Sequence, residues 1–323
     1  MSVLLAASFA AMPGAGSALA EDMPIVIVCT NSALADFTVN VLGDELGDKA
    51  GVEYIMPAGV CPSHFDTSPS DVSTISSADI VISLGWEPWL SDLLESSDND
   101  DVSEIECIGF GEWNYPEGAE KHIDKIASGL SEFNADWEDI VTSNAENYTG
   151  RIEAAYEAAR LQVMSLGLDG TKVIAIEWYE VFLEGLGFQV AASYGPPEGL
   201  STADIFDVTE ACGDPDVAMV VDNFQSTIDF GAELAFDYAK AHVVLSNFPG
   251  AIPGRYTYLE NMEYNIEELV NGATTYRSTQ KEISDLESEV SSLEFQRLAL
   301  ISAIAVLSAL LVISAIIARR KAR

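Results

Sequence analysis

The sequence predicts an α/β protein of two lobes, each a parallel four-stranded sheet with flanking helices, joined by one long helix and followed by a C-terminal stalk and a transmembrane helix. Three observations predict it. Short β-branched runs alternate with helical stretches at the spacing of βαβ units. Residues 137–166 run on without proline, far past the ~11–12 residues of a mean helix. After that stretch the strand-helix alternation begins again.

The first lobe is expected over residues 21–133. Ile25, Val26, Ile27, Val28 and Cys29 form the kind of run that a parallel sheet buries on both faces. Thr30-Asn31-Ser32 offers caps for a helix over 33–46. Residues 52–56 read as a second, buried strand, 79–84 as a third and 105–110 as a fourth, with helices from Pro69, after Gly85 and over 116–133. The connecting helix takes 134–168. The second lobe, 169–273, repeats the pattern, with strands at 173–176, 188–192, 217–221 and 242–246. Its helices fall at 179–185, 202–212, 229–240 and 256–271.

Both ends carry apolar segments. Residues 1–20 end in Ser17-Ala18-Leu19-Ala20 before Glu21-Asp22, which reads as a signal peptide. Residues 298–318 are free of charge, and at 1.5 Å per residue they cross a hydrocarbon core of ~30 Å. The basic tail 319–323 then places the C-terminus in the cytoplasm and the body on the extracellular face of the cell membrane, held by a single-pass C-terminal anchor. Between body and span, residues 274–297 carry Ile283, Leu286, Val290 and Leu293 at 3-4-3 spacing. That is a short heptad stretch, either a lone helical stalk or the seam of a homodimer.

Composition narrows the function. The chain has 52 acidic and 15 basic residues, a formal −37, and Arg319, Arg320, Lys321 and Arg323 all lie in the last five positions. So acidic a body repels nucleic acid and anionic lipid and attracts cations, and it suits a high-salt medium. Cys29, Cys61, Cys107 and Cys212 match no zinc-finger spacing. They allow one or two disulfides outside the cell, or buried free thiols. There is no nucleophile elbow and no P-loop, and Gly109-Phe110-Gly111 is not completed into a dinucleotide fingerprint because Asn114 stands at the third glycine position. The chain is therefore not expected to be an enzyme.

The loop Gly59-Val60-Cys61-Pro62-Ser63-His64-Phe65-Asp66 follows a strand, where open α/β sheets bind ligands. Cys61 and His64 together suit zinc or another borderline-soft ion. Glu177 ends a buried run, where an unpaired carboxylate is costly and a cation would satisfy it. Trp86, Trp89, Trp113, Trp178, Tyr179 and the pair Asp222-Asn223 fall at other strand ends, as possible cleft walls. Aromatic walls suit an organic or chelated ligand better than a bare ion.

The order of elements, the loop over residues 59–71, Thr30-Asn31-Ser32-Ala33-Leu34-Ala35-Asp36 and Trp113-Asn114-Tyr115-Pro116 resemble the metal-binding periplasmic substrate-binding proteins of zinc and manganese ABC importers. The resemblance covers roughly residues 25–272. It implies four metal ligands, two from each lobe. The first histidine corresponds to His64, one place late. The second falls on Gly111, with Glu112 beside it as a substitute. The third falls on Glu177, and the fourth, usually an aspartate, on Asn247. The function implied is a membrane-tethered solute-binding protein that captures a divalent metal ion, zinc or manganese, as the transported ligand, with an ABC permease and ATPase as partners. Two alternatives stand beside it: the same fold holding a metal chelate or tetrapyrrole-like ligand, and a surface adhesion or structural protein that oligomerises through the stalk.

Overall fold

A computed structural model describes residues 24–226 and 228–321. The expected signal peptide and the last basic residue, Arg323, lie outside the described residues. In the first lobe, strands β1 (Ile25–Cys29), β2 (Ala50–Tyr54), β3 (Ile80–Ser83) and β4 (Ser103–Glu106) form a sheet of order β2-β1-β3-β4. In the second, β5 (Lys172–Ile176), β6 (Gln189–Tyr194), β7 (Val217–Asn223) and β8 (Ala241–Leu245) repeat it as β6-β5-β7-β8. Every pairing is parallel. The order reverses beside β1 and β5, and such switch points open a crevice at the carboxyl ends of the strands.

The central strands are the most buried: every residue of β3 and β7 is buried. Strand β2 differs from its expected burial. It begins two residues earlier, lies at the sheet edge and is mostly exposed. Edge position explains this, since only one side of the strand is paired. Helix α1 (Ser32–Leu46) starts on Asn31, whose side chain accepts from the N–H groups of Ala33 and Leu34. It bends at Gly43, where φ is +63°. Asn144 donates to the carbonyls of Val41 and Leu42 at that bend.

Helices α2 (Pro69–Ser76), α3 (Leu90–Ser97) and α4 (Pro116–Phe133) complete the first lobe. Helices α6 (Glu180–Leu186), α7 (Thr202–Cys212) and α8 (Asp229–Asp237) flank the second sheet. Between them runs α5 (Glu138–Ser165), 28 residues long, or ~42 Å at 1.5 Å per residue. Its first half puts Val141, Ala145, Tyr148 and Ile152 into the first core, and its second half puts Ala159 and Val163 into the other. A second crossing was not foreseen. Phe248 and Tyr258, which follow β8, are buried in the first lobe's core. Ser32 Oγ donates to Pro249 O at 2.7 Å, and the Tyr258 hydroxyl donates to the Trp113 carbonyl.

The closing helix, stalk and apolar segment, expected as separate elements, are one uninterrupted helix, α9 (Tyr258–Lys321). No proline interrupts it, and Gly272 sits where α9 packs on the second sheet, with Val243 and Met219 beside its Cα. Its buried residues end at Ala273. Beyond that it carries a stretch long and apolar enough to cross a membrane. All four cysteines are free thiols, and Cys29, Cys107 and Cys212 are buried. Burial pushes the Cys29 thiol up to about 12.

Candidate functional site between the lobes

Loops from both sheets line one cavity of about 310 Å³. From the first lobe come Cys61 and His64 after β2, Trp86 after β3, and Phe110, Gly111 and Trp113 after β4. From the second come Trp178 after β5, Glu198 after β6, Asn223, Phe224 and Gln225 after β7, and Asn247 and Phe248 after β8. All of these follow the C-terminal ends of strands or close them, the ligand side of an open α/β sheet.

His64 ends a short 3₁₀ turn, Pro62–His64, entered from Cys61. Trp89 does not line the cavity. It is buried, donates from Nε1 to the Pro62 carbonyl at 2.9 Å and packs edge-on against Phe65 at 5.0 Å, so it braces the His64 loop. The His64 side chain is 63% exposed and its Nε2 lies 3.7 Å from Glu198 Oε1 of the other lobe. Trp86 is held by its Nε1 bond to Gly109 O at 2.6 Å. The turn beneath it is fixed by buried Glu87, which accepts from Thr30 Oγ1, Leu84 N and Trp86 N.

The aromatic side chains form a connected wall. Trp86 and Phe110 lie 5.0 Å apart between ring centroids, and Phe110 meets Trp178 edge-on at 5.7 Å. Trp113 stacks on Phe248 at 5.7 Å and donates to the Asn247 carbonyl. The amides form a second network. Asn114 Nδ2 donates to Asn247 Oδ1 at 3.0 Å, and Asn247 N donates to Gln225 Oε1 at 3.0 Å. Gln225 Nε2 reaches across to Ala58 O of the first lobe at 2.8 Å. Asn223 Nδ2 donates to the hydroxyl of buried Tyr179, whose pKa burial raises well above the ordinary tyrosine value.

Of the residues singled out by sequence, the cavity gathers His64, Cys61, Asn223, Asn247, Trp86, Trp113 and Trp178. Trp89 and Tyr179 stand outside its lining, and so do three carboxylates. Glu177 is exposed, not buried as its neighbours implied, because it starts the 3₁₀ turn Glu177–Tyr179 just beyond the last buried residue of β5. Its carboxylate lies beside Gly195. Glu112 is exposed and accepts from the Phe110 N–H. It sits near His122, which burial keeps below the ordinary histidine value and whose Nδ1 bonds to Gly118 O. Asp222 is 1% exposed and accepts from Tyr194 and His242. Neighbouring residues on a strand point to opposite faces, so Asn223 reaches the cavity and Asp222 does not. Among the described residues no group of three or more His, Cys, Asp and Glu is placed to hold an ion.

Sequence reasoning missed Phe110, Glu198, Phe224, Gln225 and Phe248 as lining residues. Position was the available signal: each lies within a few residues of a strand's end.

Comparison with known proteins agrees with this architecture. Residues 27–272 match the family described as zinc-uptake complex component A, periplasmic. The manganese-binding lipoprotein MntA of Halalkalibacterium halodurans is 28% identical over 273 residues, covering 76% of this chain and 87% of that protein. The manganese ABC transporter substrate-binding lipoprotein PsaA of Streptococcus mitis is 32% identical over 84 residues, 24% of this chain and 26% of its own length. A crystal structure of ZnuA superposes with a TM-score of 0.64 at 15% identity, covering 78% of this chain and all of that one. The Mn-bound periplasmic metal binding protein of Candidatus Liberibacter asiaticus superposes with the same score and identity, over 77% and 99%. At such identities the superpositions speak to the fold alone. The sequence match spans the whole two-lobed body, and the chain belongs to the periplasmic zinc-uptake component A family.

Proposed function

We propose that this chain is the extracytoplasmic substrate-binding component of a metal ABC importer, with a manganese- or zinc-type metal as its cargo. The observation that carries the reading is the cavity between two like sheets, lined from both lobes by the loops at their strand ends, in a chain of this family. Cargo enters there and meets His64 and Cys61 on one side and Glu198 and Asn247 on the other. Of the metal set expected from sequence, His64, Glu112, Glu177, Asn247 and Cys61, this reading keeps His64, Cys61 and Asn247, because they line the cavity, and adds Glu198. Two crossings, α5 and the segment from Phe248 to Tyr258, tie the lobes together. Release to the permease then depends on small lobe shifts rather than wide hinge opening.

In the same reading α9 tethers the body to the outer face of the cell membrane, its apolar stretch spanning the bilayer and Arg319, Arg320 and Lys321 on the cytoplasmic side. A tether holds the protein near its permease and raises its effective concentration there. The test is metal uptake by cells with and without the gene, together with the metal content of protein purified without chelator. Cells lacking it should take up less manganese or zinc, and His64→Ala protein should carry less metal than wild type. Unchanged uptake and a metal-free wild-type protein would overturn the reading.

A further inference from the structure

We infer that the metal enters this cavity as a chelate, inside a neutral or cationic organic ligand that presents a flat aromatic face. The inference rests on the importer reading above and specifies the chemical form of the cargo.

The first argument is ligand number. Zinc takes four protein ligands in a closed site, and manganese favours six hard donors. The cavity offers one imidazole, one thiol, one carboxylate and one amide oxygen, from His64, Cys61, Glu198 and Asn247; the amide oxygen already accepts from Asn114, and among the described residues no three His, Cys, Asp or Glu groups are placed around one ion. The second argument is the wall that stands where a ligand would be. The family resemblance puts a histidine at position 111, where this chain has Gly111. A Cβ there would lie 2.6 Å from Trp178 Cβ, and φ at Gly111 is +87°. No coordinating side chain fits at 111 while Trp178 is in place. The left-handed backbone at 111 and the Cβ of residue 178 thus close position 111 to any side chain, and 111 contributes no ligand to the cavity.

The third argument is the surface left for a guest. Trp86, Phe110 and Trp178 form a continuous aromatic run from one lobe to the other. Phe110 and Phe224 line the cavity yet remain 47% and 42% exposed. A flat organic ligand would cover these rings, with the ring-ring geometry that aromatic pairs prefer. Size agrees: about 310 Å³ is the low end of organic-ligand pockets, whereas a water-sized species takes only ~30 Å³. Charge selects further. Glu198 in the lining and the strongly acidic body disfavour an anionic chelate. Exposed His64 remains free to fill an open coordination position on a chelated metal.

The test uses the full chain in detergent, stripped of bound solutes, and three probes: zinc ion alone, 1,10-phenanthroline alone, and the zinc–phenanthroline complex. Binding is read by calorimetry and by quenching of tryptophan fluorescence. The complex should bind about ten-fold or more tightly than either component, and Trp178→Ala should lower its affinity about ten-fold. Phe224→Ala, at a half-exposed position, tests the same wall without touching the core and should weaken the complex while leaving the melting temperature unchanged. Zinc ion bound one-to-one as tightly as the complex would overturn the chelate and leave the importer reading standing. Phenanthroline alone binding as well as the complex would overturn the chelate by making the metal dispensable. No binding of any zinc species would remove both.

Discussion

Gly111 and Trp178 meet between the lobes so closely that the space of one is the absence of the other. A Cβ at 111 would stand 2.6 Å from Trp178 Cβ and 3.2 Å from its Cγ. Gly111 also holds a left-handed backbone, φ +87°, at the start of the Glu112–Asn114 turn. Gly111→His should therefore destabilise the protein through backbone strain of roughly 1–2 kcal/mol and overpacking of roughly 1–3 kcal/mol. Denaturant unfolding of Gly111→His, Trp178→Gly and the double variant checks it. Trp178→Gly removes both atoms that the added Cβ meets, so it should relieve the overpacking part and leave the strain, giving a coupling of about 1–3 kcal/mol. Additive effects would mean the two residues do not share space.

Asp222 belongs to the scaffold, not the cleft. It is 1% exposed and accepts from Tyr194 and from His242 Nε2 at 2.7 Å. Asp222→Ala leaves both partners without an acceptor, at about 1–3 kcal/mol for the buried Tyr194 hydroxyl and less for the half-buried His242. Its stability should fall accordingly, while cargo affinity measured on the protein that remains folded stays as in wild type. A large affinity loss with little loss of stability would return Asp222 to the site.

Much of this architecture was legible in sequence because it follows period and punctuation. The run from Ile25, the caps at Asn31 and the repeated strand-helix spacing fix eight strands in two like sheets. What escaped depends on contacts between distant segments. Burial of Glu177 was inferred from its apolar neighbours in β5; the strand ends at Ile176 as expected, but burial ends with it and Glu177 opens an exposed turn. Asp222 and Asn223 looked alike in sequence, and only the pleat of β7 separates them. Glu198 stands opposite His64 across 134 positions of sequence, a pairing no local pattern announces.

Loss of stability on raising the pH has a named source in Asp36. Burial raises its carboxyl pKa, and the Tyr148 hydroxyl bond and Arg151 only partly oppose that shift. The folded state thus holds the proton more tightly than the unfolded chain, whose carboxyl titrates at its ordinary value. This group's contribution is most favourable below the ordinary carboxyl range and is lost as pH rises through the raised folded value. Asp36→Asn keeps an acceptor for Tyr148 and carries no charge at any pH. Melting temperatures across pH 3 to 7 should show the variant gaining on wild type as pH rises. A variant that loses ground toward neutral pH would show that the charged hydrogen bond outweighs burial.

The long helix divides into a packed part and a free part. Its last buried residue is Ala273, and Arg277 donates to the carbonyls of Leu166 and Gly167. A chain ending after Lys281 retains these contacts. It should unfold within about 0.5 kcal/mol of the full chain and fractionate as a soluble protein, while the full chain stays with membranes. Continued membrane association of the shortened chain would count against α9 as the anchor.

Gln225 fastens the lobes at the cavity. It is 7% exposed, donates from Nε2 to Ala58 O at 2.8 Å and to Ser246 Oγ at 3.1 Å, and accepts on Oε1 from Asn223 Nδ2 and Asn247 N. Only the Ala58 bond crosses to the first lobe; the others organise the amides beside it. Gln225→Ala removes both functions, so stability should fall by about 1–3 kcal/mol. The arrangement competent to hold cargo should also be less populated, which raises the apparent Kd in proportion to that lost fraction. Gln225→Glu separates the two functions, since it keeps acceptors for Asn223 and Asn247 but cannot donate from that position to Ala58 or Ser246. If the bond across the lobes sets affinity, Gln225→Glu should weaken cargo binding at least as much as Gln225→Ala, since its carboxylate faces the Ala58 carbonyl. Wild-type affinity in Gln225→Glu would place the effect in the amide network alone.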